Sequence, residues 1–292
     1  MKIIDAHHHL WDPVANDHPW LRDEPMIPFR YGDYSAIRHP FMLADYDRVT
    51  AGWDVTASIT MEGEWNPTDP TGEALWLQRL ADVQGRPAAH VAQAWLDRED
   101  LPQVLKVYER LPLVRSVRHK PRANAKPGGP AGGMTDDAFR EGFKRLSDCG
   151  LIFDLQTPWW HLHEAIDLAT VSPETLIVLN HVGLPSDRSA ACLDGWREAM
   201  EAFAALPQAR VKISGLGLPN QPWRLEDNQD IIRFCVDTFG SERAMFASNF
   251  PVDGLCGSFD TIYSGFLSAT AMYAEDQRAN LCWRTASNTY LK

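Results

Sequence analysis

The sequence predicts an α/β chain folded as a single (β/α)8 barrel of the TIM type, with a closure that need not be regular. Three observations carry this. Eight short apolar, β-rich runs alternate with longer amphipathic stretches. No break in composition divides the 292 residues, so one domain over 1–292 accounts for them. Several runs are apolar throughout, Leu176-Ile177-Val178-Leu179 being the clearest, as expected of parallel strands covered on both faces.

The strands are read at Ile3–His7, Val55–Met61, Ala88–Ala94, Val114–His119, Ile152–Gln156, Leu176–His181, Val211–Ser214 and Ala244–Ser248. Helical patterning is clearest over Glu73–Val83, Thr135–Leu146, Gly195–Ala205, Asp230–Phe239 and Thr261–Tyr273. A doubly wound sheet would give the same alternation. It would also want a glycine-rich phosphate loop after the first strand, where this chain reads Asp-Ala-His-His-His-Leu-Trp-Asp. Two irregular segments, Asp12–Pro40 and Arg122–Met134, each follow a strand, which in a barrel places both on the face where active sites are built.

Composition narrows the function. Hydrophobic residues make up 45% and charged residues 23%, the profile of an ordinary globular protein. A net charge of -11 argues against nucleic acid and against an anionic membrane surface as partners. The start of the chain has no signal-peptide pattern, and no apolar run is long enough to span a bilayer. Five scattered cysteines without a C-x-x-C pair read as reduced thiols. A cytoplasmic enzyme is the expectation, with a small-molecule substrate and with a homo-oligomer left open.

The strongest local signal is Asp5-Ala6-His7-His8-His9-Leu10-Trp11-Asp12 at the end of the first strand. Side chains alternate on a strand, so His7 and His9 share a face and His8 points away. Two imidazoles opening into a barrel lumen can bind a metal or polarise a carbonyl, whereas His8 is expected only to pack. His181, at the end of the sixth strand, faces the pocket mouth in a barrel, although alone it would more often be a half-buried histidine with its bonds satisfied. Arg118, at the end of the fourth strand, suits a substrate carboxylate and equally suits a structural salt bridge beneath the site. Trp11, Trp65, Trp159 and Trp160 follow strands and could wall a pocket, one or two of them at most among eleven tryptophans. Glu62 is a candidate for contacting substrate hydroxyls.

These motifs together resemble the amidohydrolase superfamily, and within it the lactonase-like branch of 2-pyrone-4,6-dicarboxylate lactonase and the sugar-acid lactonases such as fuconolactonase. The resemblance rests on Ile4-Asp5-Ala6-His7-x-His9-Leu10-Trp11-Asp12, Val117-Arg118-His119, Leu179-Asn180-His181-Val182-Gly183 and Phe246-Ala247-Ser248-Asn249-Phe250-Pro251-Val252, in order at barrel spacing. It implies a hydrolase that opens a small sugar-acid or carboxylated lactone, with His7, His9 and His181 polarising the carbonyl directly or through one divalent metal such as zinc. The usual binuclear centre has a lysine on strand four and a histidine on strand five. This chain offers Arg118, and a fifth strand without histidine, His161 and His163 lying beyond it, so either no cofactor or a single metal is expected.

One departure bears on mechanism. Asn249 stands where the superfamily has the aspartate that takes a proton from water, and an amide cannot act as that base. Asp253 could reach back to do so, and would equally serve as a solvated loop acid or a helix N-cap. The competing functions are therefore a metal-dependent decarboxylase of the same superfamily and a ligand-binding barrel that has lost its base.

Overall fold

The computed structural model describes all 292 residues. Eight strands run β1 (Ile3–His8), β2 (Val55–Met61), β3 (Ala89–Gln93), β4 (Val114–His119), β5 (Ile152–Leu155), β6 (Ile177–Leu179), β7 (Ala209–Ile213) and β8 (Ala244–Phe246). They pair in parallel in the order β1 to β8. The helices that alternate with them are α1 (Leu43–Val49), α2 (Gly72–Gln84), α3 (Leu101–Tyr108), α4 (Asp137–Asp148), α5 (Leu162–Ala169), α6 (Ala190–Ala204), α7 (Leu225–Phe239) and α8 (Phe259–Ala269), with short helical turns at Pro19–Arg22 and Glu275–Ala279 besides. A ninth, α9 (Thr285–Tyr290), ends the chain. The expected (β/α)8 barrel is the observed architecture.

The distortion lies at the seam. No regular ladder joins β8 to β1; closure comes from the Asn249 amide donating to the His7 carbonyl at 2.7 Å and the His9 amide donating to the Phe250 carbonyl at 2.7 Å. Both bonds lie just beyond β8, at the top of the barrel. The functional residues of the two strands are thereby tied to each other by backbone.

Alternation fills the barrel. Val117, Phe153, Leu155, Val211 and Ile213 face the helices in one large core, while Ile4, Ala6, Ile59, Val91, Val178 and Met245 form a smaller inner cluster. Ala286 and Tyr290 of α9 join that inner cluster. The helices hold on by spaced apolar faces: α4 buries Phe139, Phe143 and Leu146, at i, i+4 and i+7. Ser258 caps α8 by accepting from the Thr261 amide at 3.0 Å. No helix is long and apolar enough to cross a membrane.

Candidate active site

The end of β1 departs from simple alternation. Asp5 pairs with Ser58 of β2 and His8 with Thr60, so β1 spends three residues where β2 spends two, a bulge. Asp5 turns outward and accepts from Tyr46 at 2.8 Å and from the Ser248 hydroxyl at 2.6 Å. His7 and His9 turn inward. His8 turns outward, bonds Ser58 Oγ at 2.9 Å and stacks on Tyr46, as its expected packing role requires.

His7 stands between His9 and His181, with ring centroids 5.1 and 4.7 Å away. The sixth strand stops at Leu179, two residues short of the expected end. His181 and Val182 take φ of 53° and 48°, left-handed values that no strand continues through. This turn aims His181 inward, where its Nδ1 meets Ser214 Oγ at 2.9 Å. Asn249, two residues beyond Ala247, is likewise left-handed, with φ of 55°. Non-glycine residues in this region cost energy and cluster at functional sites.

The hydrogen-bond partners fix much of the chemistry. Asp253 accepts from Asn249 Nδ2 at 2.7 Å, so the Asn249 amide oxygen faces the other way, toward His9 Nε2 at 3.4 Å. His9 Nδ1 lies 3.0 Å from the Met61 carbonyl, which can only accept, so the ring proton sits on Nδ1 and Nε2 carries a lone pair. Two acceptors, His9 Nε2 and Asn249 Oδ1, therefore converge. Neither ring nitrogen of His7 has a partner. Burial, with neighbouring cations and imidazoles adding to it, holds His7, His9 and His181 well below the ordinary histidine range, so all three are neutral near pH 7.

Asp253 is neither a solvated acid nor a helix cap. It is buried behind Asn249, where Oδ1 also accepts from Tyr31 at 2.8 Å and Oδ2 from the Gly215 amide at 3.0 Å. Burial raises its carboxyl, opposed by Arg30 and these hydrogen bonds. It does not line the cavity that His9, His181 and Asn249 share, which measures about 280 Å³.

Arg118 and Glu62 both line that cavity and spend most of their capacity on each other. Arg118 Nε and Nη2 reach the Glu62 carboxylate, Nη2 also donates to the Glu62 carbonyl at 2.8 Å, and Nη1 donates to Gln156 at 3.1 Å. Burial alone would raise Glu62, but Arg118 and Lys120 bring it down to about 2. Trp11 lines the same cavity, and Trp65 lines a neighbouring one of about 240 Å³. Trp159 does not wall the pocket as expected. Its indole packs against Gly195 of α6, so close that a Cβ there would fall 2.8 Å from the ring. Sequence reasoning missed Phe29, which lines the catalytic cavity, Trp95, which lines its neighbour, and Trp20, which lines both from the short helical turn Pro19–Arg22 before α1.

A buried ion pair also escaped notice. Lys212 of β7 and Asp154 of β5, both inaccessible, lie 2.8 Å apart inside the barrel. Asp154 also accepts from Ser116, Asn180 and Tyr290. The signal available was one charge set inside an apolar run on each strand, Ala-Arg-Val-Lys-Ile and Ile-Phe-Asp-Leu.

The donor set bears on metal binding. His9 and His181 have one nitrogen held by Met61 or Ser214 and the other free, the arrangement of imidazole ligands. As the side chains stand, no three His, Cys, Asp or Glu donors converge on one point. With Arg118 on strand four and Asp154 on strand five, the set has no bridge for a second ion.

A parallel barrel with a neutral histidine cluster and a polar cavity at the C-terminal ends of its strands defines a barrel enzyme of the hydrolytic kind. The chain belongs to the amidohydrolase family, whose profile matches residues 4–291. It is 35% identical to the protein designated y4mH of Sinorhizobium fredii, over 99% of this chain and 98% of that one. It is 29% identical to an L-fucono-1,5-lactonase of Burkholderia multivorans, over 89% of this chain and 86% of that one. A crystal structure of a Burkholderia multivorans amidohydrolase with bound zinc shares the fold, with a TM-score of 0.81, 24% identity and coverage of 100% and 99%.

Proposed function

We propose that the protein is a lactonase that opens a small sugar-acid or carboxylated lactone by water attack on the ring carbonyl. The observation that carries this is the convergence of His9 Nε2 and Asn249 Oδ1, two acceptors 3.4 Å apart. A water on the cavity side of both donates one hydrogen to each and presents its own lone pair to a carbonyl in the cavity. The 29% identity to an L-fucono-1,5-lactonase supports the same reaction class.

In this reading Asn249 positions the water and His9 takes its proton, which fills the role left open by an amide at the aspartate position. The water oxygen bonds to the carbonyl carbon. The developing oxyanion is met by His181, whose Nε2 is left free by Ser214, and by His7 behind it. The bond from the acyl carbon to the ring oxygen then breaks, and the proton held by His9 passes to that oxygen as the alcohol of the hydroxy acid. Glu62, ionised beside Arg118, offsets part of the opposing effect that Arg118 has on a transient imidazolium at His9. Asp253 keeps the Asn249 amide in its orientation. A single divalent ion, zinc being the candidate, would draw on His7, His9 and His181 and would polarise the carbonyl; it would take the His9 lone pair, so proton transfer to His9 belongs to the metal-free site.

Proton release from a panel of aldono-1,4- and 1,5-lactones, with and without chelator, tests the proposal. Turnover of at least one supports it. Carbon dioxide release from hydroxybenzoates without lactone turnover replaces it with the decarboxylase reading, and lactone binding without turnover replaces it with a binding protein.

A further inference from the structure

Beside the catalytic cavity lies a second one of about 240 Å³, between the loops after β6 and β7 and the irregular segment after β1. Two guanidinium groups face it, Arg188 and Arg30. Arg188 is the unusual one. Its Nε and Nη1 are buried and have no acceptor in the protein. Its Nη2 reaches only the Leu216 carbonyl and Asn228 Oδ1, each at 3.3 Å, and no carboxylate comes within ion-pair distance. Asp227 acts on it only from beyond ion-pair distance, and a largely buried cation without a close counter-charge is costly and suits an anion.

Arg30 joins this cavity to the catalytic one, since it lines both. The junction is tight. Gly215 has φ of +62°, and a Cβ there would lie 2.6 Å from both Arg30 Nη2 and His181 Nδ1. Arg30 donates to Tyr31 at 2.8 Å and approaches Asp253 at 3.6 Å, so its charge already faces a carboxyl. With Arg30 offset by Asp253, the charge left for a ligand is chiefly that of Arg188, about one at most. That matches a carboxylate better than a phosphate, which carries nearly two negative charges.

Resting on the lactonase reading of the adjoining site, we infer that this cavity is a carboxylate subsite, and that the substrate is a lactone bearing a second, ionised carboxyl group held by Arg188 and Arg30. The subsite explains how anionic recognition is possible although Glu62 occupies Arg118. With Nη2 already donating to Leu216 and Asn228, Arg188 offers single N–H bonds from Nε or Nη1, and Arg30 supplies the second bond to the carboxylate.

The test compares D-glucono-1,4-lactone with D-glucaro-1,4-lactone, which replaces the terminal alcohol by a carboxylate. The wild-type protein should favour the glucaro compound in kcat/KM by about 10²-fold, the scale of a buried charge pair. That preference should fall with added salt. R188Q should remove most of the ratio and R188K should keep part of it, with inorganic phosphate competing poorly. Calorimetric binding of D-glucarate and D-gluconate gives a readout without turnover. Equal rates on the two lactones, or a preference that survives R188Q in a folded protein, overturn the inference and leave the lactonase proposal standing. Tight glucarate binding abolished by R188Q, in a protein that opens no lactone, upholds the subsite and overturns the lactonase proposal instead. Phosphate competing better than glucarate overturns the carboxylate assignment. Should R188Q not fold, the salt dependence and ligand preference of the wild-type protein decide alone.

Discussion

Asn249 donates Nδ2 to Asp253 across 2.7 Å, and this one bond decides which end of the amide meets His9. It makes Asp253 a positioning residue, one layer behind the cavity. Asp253→Asn should lower kcat by about 10- to 100-fold with KM little changed. His9→Gln should lose more, within the roughly 10²–10⁴-fold that a positioned base contributes. Steady-state kinetics on the best lactone check the order. Asp253→Asn as inactive as His9→Gln would make Asp253 the base.

The histidines separate by direction. Alanine at His7, His9 or His181 should cut kcat/KM by at least about 10²-fold, comparable to losing an oxyanion donor. His8→Ala should stay within a few-fold of wild-type activity, because His8 faces Tyr46 and Ser58 outside the lumen. Its cost appears as stability instead, about 2–3 kcal/mol for a buried ring and its hydrogen bond. Denaturant titration alongside kinetics distinguishes the two classes, and equal losses of activity at all four positions would sink the assignment.

Glu62 and Arg118 form a buried ion pair, so removing one partner strands the other. Glu62→Gln should destabilise the fold by about 3–5 kcal/mol. The double variant Glu62→Gln/Arg118→Met should be more stable than the sum of the singles, with a coupling of at least about 1 kcal/mol. A cycle that sums to zero would show that the two side chains do not depend on each other.

How legible the site was varies with local geometry. Strands β2 and β4 span Val55–Met61 and Val114–His119, the bounds expected from their β-rich runs, since no turn interrupts either run. β6 and β8 stop early because His181 and Asn249 sit in left-handed turns, and nothing in Asn-His-Val-Gly or Ser-Asn-Phe-Pro announces a positive φ at a non-glycine residue. The same turns are what aim these two side chains inward, so the site was legible as residues and not as geometry. Helix α3 went unread because eight residues give too few turns for periodicity to emerge. The bulge at β1 could not be read at all. Strict alternation places Asp5 with His7, whereas the extra residue sends Asp5 out to Tyr46. Trp20 was hidden because the segment before α1 has no period to follow.

Acid should unfold this protein from a mildly acidic pH downward. Burial depresses six histidines, His7, His8, His9, His90, His119 and His181, with His119 down to about 4 and His8 and His90 to about 3. In the unfolded chain each titrates near 6.5. Between the two values the unfolded state binds more protons than the folded one, so stability rises with pH through that window and is complete above it. Each histidine contributes a slope of up to about 1.4 kcal/mol per pH unit. Glu62, depressed to about 2, acts in the same direction below pH 4.5. Asp5, Glu73 and Asp253 are raised by burial and act in the opposite direction over their own windows, but they are outnumbered. The expected result is a Tm that holds level from pH 7 to 8 and falls steeply below about 6.5, measured by scanning calorimetry in buffers of matched ionic strength. Replacing His90 by Gln should shallow that fall, because one proton fewer is taken up on unfolding. A Tm unchanged down to pH 4.5 would mean that burial does not hold these imidazoles below the ordinary histidine range.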